Sequence, residues 1–203
     1  MKLSTRNSQF VFAAFAAFAM ILSSAMASAD VKPTDWIAKD VKGRSVDTSK
    51  YRGKVMMVFI NSAETKDRMK TISKKLTLKY GKNKKVAQLT VVDLTDAPLT
   101  WLAAEKAAGE VTKRTAKAHD RTVKRMNTWL TDAGKKPIKR LDKKLHIVLD
   151  WKGKVVKNYD YFDSEKHVTI VVINQHGDPI ASFKGTQLTK AMAAVDAAVA
   201  EIE

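Results

Sequence analysis

The chain has 203 residues, 37 Lys or Arg against 21 Asp or Glu, and a formal net charge of +16. It contains no cysteine, which excludes a disulfide scaffold, thiolate metal ligation and all thiol–disulfide chemistry. Its 8 glycines never take the spacing of a phosphate-cradling turn, so the common nucleotide-binding patterns are absent too.

The first expected element is a leader. Lys2 and Arg6 precede an apolar run from Phe10 to Leu22, and Ala27-Ser28-Ala29 supplies a small-x-small step, the pattern of a secretory signal peptide cleaved after Ala29. The apolar run is shorter than the ~20 residues that cross a bilayer, and no later stretch is apolar enough to do so. The expectation is an exported chain, periplasmic or secreted, with a single domain over residues 30–203.

Residues 30–51 are polar, with turn signals at Pro33 and Lys42-Gly43, and predict a short hairpin or edge strand. Val55 to Ile60 is continuously apolar and rich in β-formers, the pattern of a strand buried on both faces. Met69, Ile72 and Leu76 then recur at three and four, one face of an amphipathic helix. Ser62 and Glu64 suit its start, the hydroxyl as a cap and the carboxylate beside the positive helix end, and Gly81 suits its stop. Val86 to Leu94 predicts a second core strand.

Helical patterning covers 99–108 and 111–131, where Val123, Met126 and Leu130 share a face; Gly134 and Pro137 end it. Two hairpins are expected after that. One pairs 145–149 with 154–159 across Trp151-Lys152-Gly153, and the other pairs 168–173 with 179–183 across Asn174-Gln175-His176-Gly177. Thr189 is the expected cap of a last helix striped by Met192, Val195, Val199 and Ile202. Strands joined through helices pair in parallel and hairpins antiparallel, so the prediction is an α/β sandwich with one mixed sheet.

Several segments resemble the thioredoxin-like superfamily: Asp40-x-x-Gly43, Tyr51-Arg52-Gly53-Lys54-Val55 leading into a strand, the strand-turn-helix over 56–76, and "VTIVVINQHGDPIASFKGTQLTKAM" near the end. Within it the chain is most similar to the YtfJ group of periplasmic proteins, through "HIVLDWKGKVVKNYDYFDSE" before the closing hairpin and the Gly185, Leu188, Thr189 step. The resemblance implies a thioredoxin-like three-layer sandwich, a mixed central sheet flanked by helices. It places Thr65 and Arg68 where redox-active relatives carry their two cysteines, with Lys66 and Asp67 between. Near Val168, where those relatives keep a cis-proline, there is no proline. The resemblance therefore implies the fold without its redox reaction, and no cofactor.

His119, His146, His167 and His176 show no metal-ligand spacing, and no metal is expected. Asp150, Asp160, Asp163 and Glu165 read as turn or solvated carboxylates. What exceeds an ordinary scaffold is the charge pattern: Lys66 to Lys85 holds nine basic residues and one acid, and Lys113 to Lys144 holds twelve and three. The candidate basic surface is Lys70, Lys74, Lys75 and Lys79 in the first run and Lys113, Arg114, Lys117, Arg121, Lys124 and Arg125 in the second. Such runs are either a solvated face or, if they converge, a field that concentrates polyanions.

The expected function is a non-catalytic binding or interaction protein whose partner is a polyanion (an anionic lipid headgroup, a cell-wall polymer or nucleic acid) or an acidic protein. The alternative is an enzyme of unrecognised type that uses the turn 63–68 as an anion or substrate site. Thr65, Lys66 and Arg68 would then be ligands at a helix N-terminus. A third reading assigns the charge to solubility alone.

Overall fold

Every residue of Val55–Asn61 is buried, and this segment forms the central strand β3. The computed structural model describes residues 35–96 and 105–202. The expected leader over 1–29, the 99–104 part of the predicted helical segment and Trp101 lie outside the described residues. In chain order the elements are β1 (Ile37–Lys39), β2 (Ser45–Asp47), β3, α1 (Lys66–Tyr80), β4 (Val86–Asp93), α2 (Glu105–Asp132), α3 (Leu141–Lys144), β5 (His146–Asp150), β6 (Thr169–Ile173), β7 (Pro179–Lys184) and α4 (Leu188–Ala200).

The main sheet has the order β5-β4-β3-β6-β7. β4 runs parallel to both β3 and β5, whereas β6 is antiparallel to β3 and β7. This is the mixed sheet that the sequence pattern predicts. Alternation along β3 builds a core on each face. Val55, Met57 and Phe59 pack with Ile72 and Leu76 of α1 and with Ala191 and Val195 of α4. Met56, Val58 and Ile60 pack with Trp36, Val46, Val155 and Tyr159. The long helices thus lie on one face. The other is closed by the β1–β2 hairpin and by short 3-10 turns at Thr48–Tyr51 and Val156–Asn158. α2 is placed by a third cluster, in which Met126 and Leu130 meet Ile138, Leu141 and Leu145, with Leu78 of α1 against them.

Three local expectations change, and one holds for a local reason. Residues 154–159 form no strand, and β5 instead pairs in parallel with β4, Val148 beside Val91. The cause is Asp150, 5% exposed at the end of β5. Its carboxylate accepts the amides of Lys154, Val155 and Val156 at 2.9, 2.7 and 2.9 Å, leaving them no role in a ladder. α2 runs unbroken through Gly109 from Glu105 to Asp132. α4 starts at Leu188 after a Gly185–Gln187 turn, where the Gln187 side chain takes the Lys184 amide, so Thr189 is not the cap. Gly81 does follow α1, with right-handed φ of −55°. Glycine is needed there for closeness: a Cβ would lie 2.6 Å from the Thr77 carbonyl and 2.9 Å from Ile138.

Asp40 ties the β1–β2 turn to β5. It accepts the amides of Lys42 and Arg44, each at 2.9 Å, the Arg44 guanidinium at 2.7 Å, and contacts His146 Nδ1 at 2.9 Å. Burial pushes its carboxyl up, but the bonds from Arg44, His146 and the two amides outweigh burial and hold it below the usual range. The unfolded chain therefore binds the proton more readily, so this stabilisation is complete above the unfolded pKa of about 4 and is lost as pH falls below it. Urea unfolding should show Asp40→Asn less stable than wild type at pH 7, with the gap shrinking toward pH 3. A gap independent of pH contradicts the assignment.

Candidate functional site

Where β3 ends the chain turns through Ser62 to Thr65 into α1, and this joint is polar yet buried. The Ser62 amide donates to Thr65 Oγ1 at 3.0 Å; the hydroxyls of Ser62 and Thr65 donate to the Ser164 carbonyl at 3.0 and 3.1 Å. Ser164 Oγ donates to Asp93 Oδ2 at 2.9 Å, and Asp93 Oδ1 accepts the Thr95 amide and hydroxyl at 3.0 and 2.7 Å. Ser62, Ser164 and Asp93 are each 5% exposed and Thr65 1%. A closed network therefore links the turn, the end of β4 and the 160–167 loop.

This arrangement settles the individual roles. Thr65 is the residue before the helix, but its oxygen bonds backward and caps nothing. Ser62 accepts the Glu64 amide at 3.3 Å, before the helix begins, so the expected Ser62 cap with Glu64 in the first turn moves upstream. Arg68 donates to the Lys166 carbonyl and pins the loop. Thr65, Lys66 and Arg68 therefore do not converge: one turns inward, one binds the loop, and Lys66 borders a groove.

That groove, about 360 Å³, lies between α1 and α2. Lys66 and Lys70 line one wall and Arg121 and Arg125 the other, over a mixed floor in which Asn61, Gln88 and Thr90 of β3 and β4 sit among apolar Phe59, Val92 and Ile147. Asp67 is the one acid among its lining residues. Lys70, Arg121 and Arg125 have no hydrogen-bond or ion-pair partner among the described residues. On the floor Asn61, 6% exposed, donates from Nδ2 to the Ser62 carbonyl at 3.1 Å, while its Oδ1 is buried without a partner.

The other candidate cations disperse. Lys74 and Lys75 are exposed outside the groove lining, as are Lys113, Lys117 and Lys124. Arg114 pairs with Glu110 at 3.0 Å. Lys79 reaches the other way, to Asp196 of α4 at 2.6 Å. Only part of each run meets the other, which the charge count could not disclose. A second depression of about 540 Å³ at the opposite strand ends is rimmed by Lys54, Lys82, Lys84, Lys143 and Lys144. Larger as it is, no unpartnered buried polar atom lines it among the described residues. His119, 1% exposed, meets the Leu145 carbonyl and Asp120. No group of three or more His, Asp or Glu that could hold a metal occurs among the described residues.

No protein-family model matches the sequence, and no curated protein matches it significantly. Solved structures do. A candidate protein disulfide isomerase from Bacteroides thetaiotaomicron is 17% identical with a TM-score of 0.50, over 83% of this chain and 87% of that one. The exposed lipoprotein thioredoxin of Streptococcus pneumoniae is 14% identical with a TM-score of 0.49, over 79% and 99%. A candidate thiol:disulfide interchange protein from Chlorobium tepidum is 15% identical with a TM-score of 0.49, over 83% and 95%. The fold is thioredoxin-like. This chain, without cysteine, carries that fold without thiol chemistry.

The buried joint yields a stability test. Thr65→Val removes a hydroxyl that serves two backbone groups, and should cost about 1–3 kcal/mol in chemical denaturation, with Thr65→Ser recovering most of it. An unchanged midpoint for Thr65→Val contradicts the network.

Proposed function

We propose that this chain is an exported, non-catalytic binding protein of the YtfJ type that docks an anionic partner in the groove between α1 and α2. The observation that carries this reading is the convergence of Lys66 and Lys70 with Arg121 and Arg125 on one groove. Two independent basic runs supply the walls, and four cations around a partly enclosed space focus a positive field on it. Arg presents a planar fork to phosphate or carboxylate, and Lys a mobile point charge, so the pairing suits an oxyanion. The leader pattern from Lys2 to Ala29 supports export. Among the described residues no helix is long and apolar enough to cross a membrane.

The alternative, catalysis at the 63–68 turn, finds no favouring observation, because the Thr65 hydroxyl is committed to backbone partners with no base beside it. The solubility reading differs in what it predicts. If charge alone matters, any equal loss of charge has the same effect.

The test uses long-chain inorganic polyphosphate as probe. Lys70→Glu with Arg125→Glu should weaken binding at least tenfold and flatten its salt dependence, because fewer counterions are released per contact. Lys74→Glu with Lys75→Glu, an equal charge change outside the groove, should leave affinity within about twofold. Equal losses from both pairs would assign the charge to solubility and overturn the docking site.

A further inference from the structure

We propose, resting on the docking reading above, that the groove binds a free fatty acid, its carboxylate among the cations of the walls and its acyl chain on the floor. That floor is a part of the sheet's helix face that the helices do not seal. Ala87, Leu89 and Val91 belong to the opposite core, so alternation along β4 turns Gln88, Thr90 and Val92 toward the helices. Ile147 of β5 stands across from Thr90 and shares that face. On the neighbouring strand the same face is closed: Val55 and Met57 are 0% exposed and Phe59 1%, packed under α1 and α4. Val92 and Ile147 are instead half-buried, border the groove and join no core cluster among the described residues. Their apolar surface is available to a ligand, and covering it is favourable.

The occupant has to match walls and floor together. Lys66 with Lys70, and Arg121 with Arg125, each lie four residues apart, so each pair presents two cations on one face of its helix. An inorganic anion would neutralise them and leave Val92 and Ile147 in water. A neutral apolar molecule would cover those two and leave the cations repelling one another. An anionic head on an apolar tail meets both demands. Half-buried Met69 of α1 and Trp129 of α2 extend the apolar contact up the two walls, and the unbranched, adaptable Met69 suits a flexible chain over a fixed ring. Gln88 and Thr90 carry donors that a carboxylate can accept. A volume of about 360 Å³ is at the small end of ligand sites, with room for one acyl chain rather than the two of a bilayer phospholipid.

Titration calorimetry with decanoate, acetate and decanol separates the head from the chain. Wild type should bind decanoate at least tenfold tighter than either of the others. Val92→Thr with Ile147→Thr keeps both side chains β-branched while placing hydroxyls on the floor, and should weaken decanoate at least fivefold with polyphosphate affinity within about twofold. Should the double variant fail to fold, the methyl signals of Val92 and Ile147 in wild-type NMR spectra decide, shifting with decanoate and not with acetate. Decanoate bound no tighter than acetate, or no tighter than decanol, overturns the fatty-acid site. Binding of phosphatidylglycerol vesicles without binding of decanoate does so as well, and assigns a membrane surface. Polyphosphate binding in the absence of decanoate binding spares the docking reading. Binding of neither decanoate nor polyphosphate sinks both.

Discussion

A central strand buried on both faces has to end somewhere, and in this protein its end is sealed by hydrogen bonds that buried polar side chains make, mostly to backbone groups. Ser62, Thr65, Ser164 and Asp93 satisfy one another and the adjoining backbone, so the joint costs little despite its burial. Three chain segments meet there: the turn after β3, the end of β4, and the 160–167 loop. Arg68 adds a further tie to that loop through the Lys166 carbonyl. The direction in which α1 leaves the sheet follows from this joint, and with it the placement of Lys66 and Lys70.

The groove follows from the way the second helix is seated. α2 is anchored by Met126 and Leu130 against Leu78, Ile138, Leu141 and Leu145, and this contact brings Arg121 and Arg125 to face α1. Cations held opposite one another repel, and nothing in core packing asks for them. Solvent and salt screen part of that repulsion in the free protein. A bound oxyanion would convert the remainder into attraction. Ion pairs elsewhere on the same helices show that acids are placed where neutralisation suffices, as Asp196 meets Lys79 and Glu110 meets Arg114. Among the described residues the groove has one such partner, Asp67 at its border.

Much of the fold was legible because periodicity reports burial directly. The continuous run at Val55, the three-and-four spacing of Met69, Ile72 and Leu76, and the turn at Asn174 to Gly177 each became the expected element. Failures occurred where one side chain overrides a pattern. Val155 and Val156 look like strand, but the Asp150 carboxylate captures their amides and curls the segment into a 3-10 turn. The site was half legible. Both basic runs were visible, yet which of their members converge depends on how two helices seat, a tertiary fact without a local signature. Asn61 gave no signal at all: asparagine at a strand end reads as a turn residue. In the fold its Oδ1 is buried without a hydrogen-bond partner among the described residues.

The central claim is spatial, that parts of two separate basic runs make one anion-attracting groove. Its most direct measurement is NMR relaxation of backbone amides in the presence of a small anionic paramagnetic chelate, at two salt concentrations. Enhancement should concentrate on residues 66–73 and 118–125 and fall there most steeply with salt. Enhancement spread evenly over both lysine-rich runs, with 74–85 and 135–144 affected as strongly as the groove, would contradict the account.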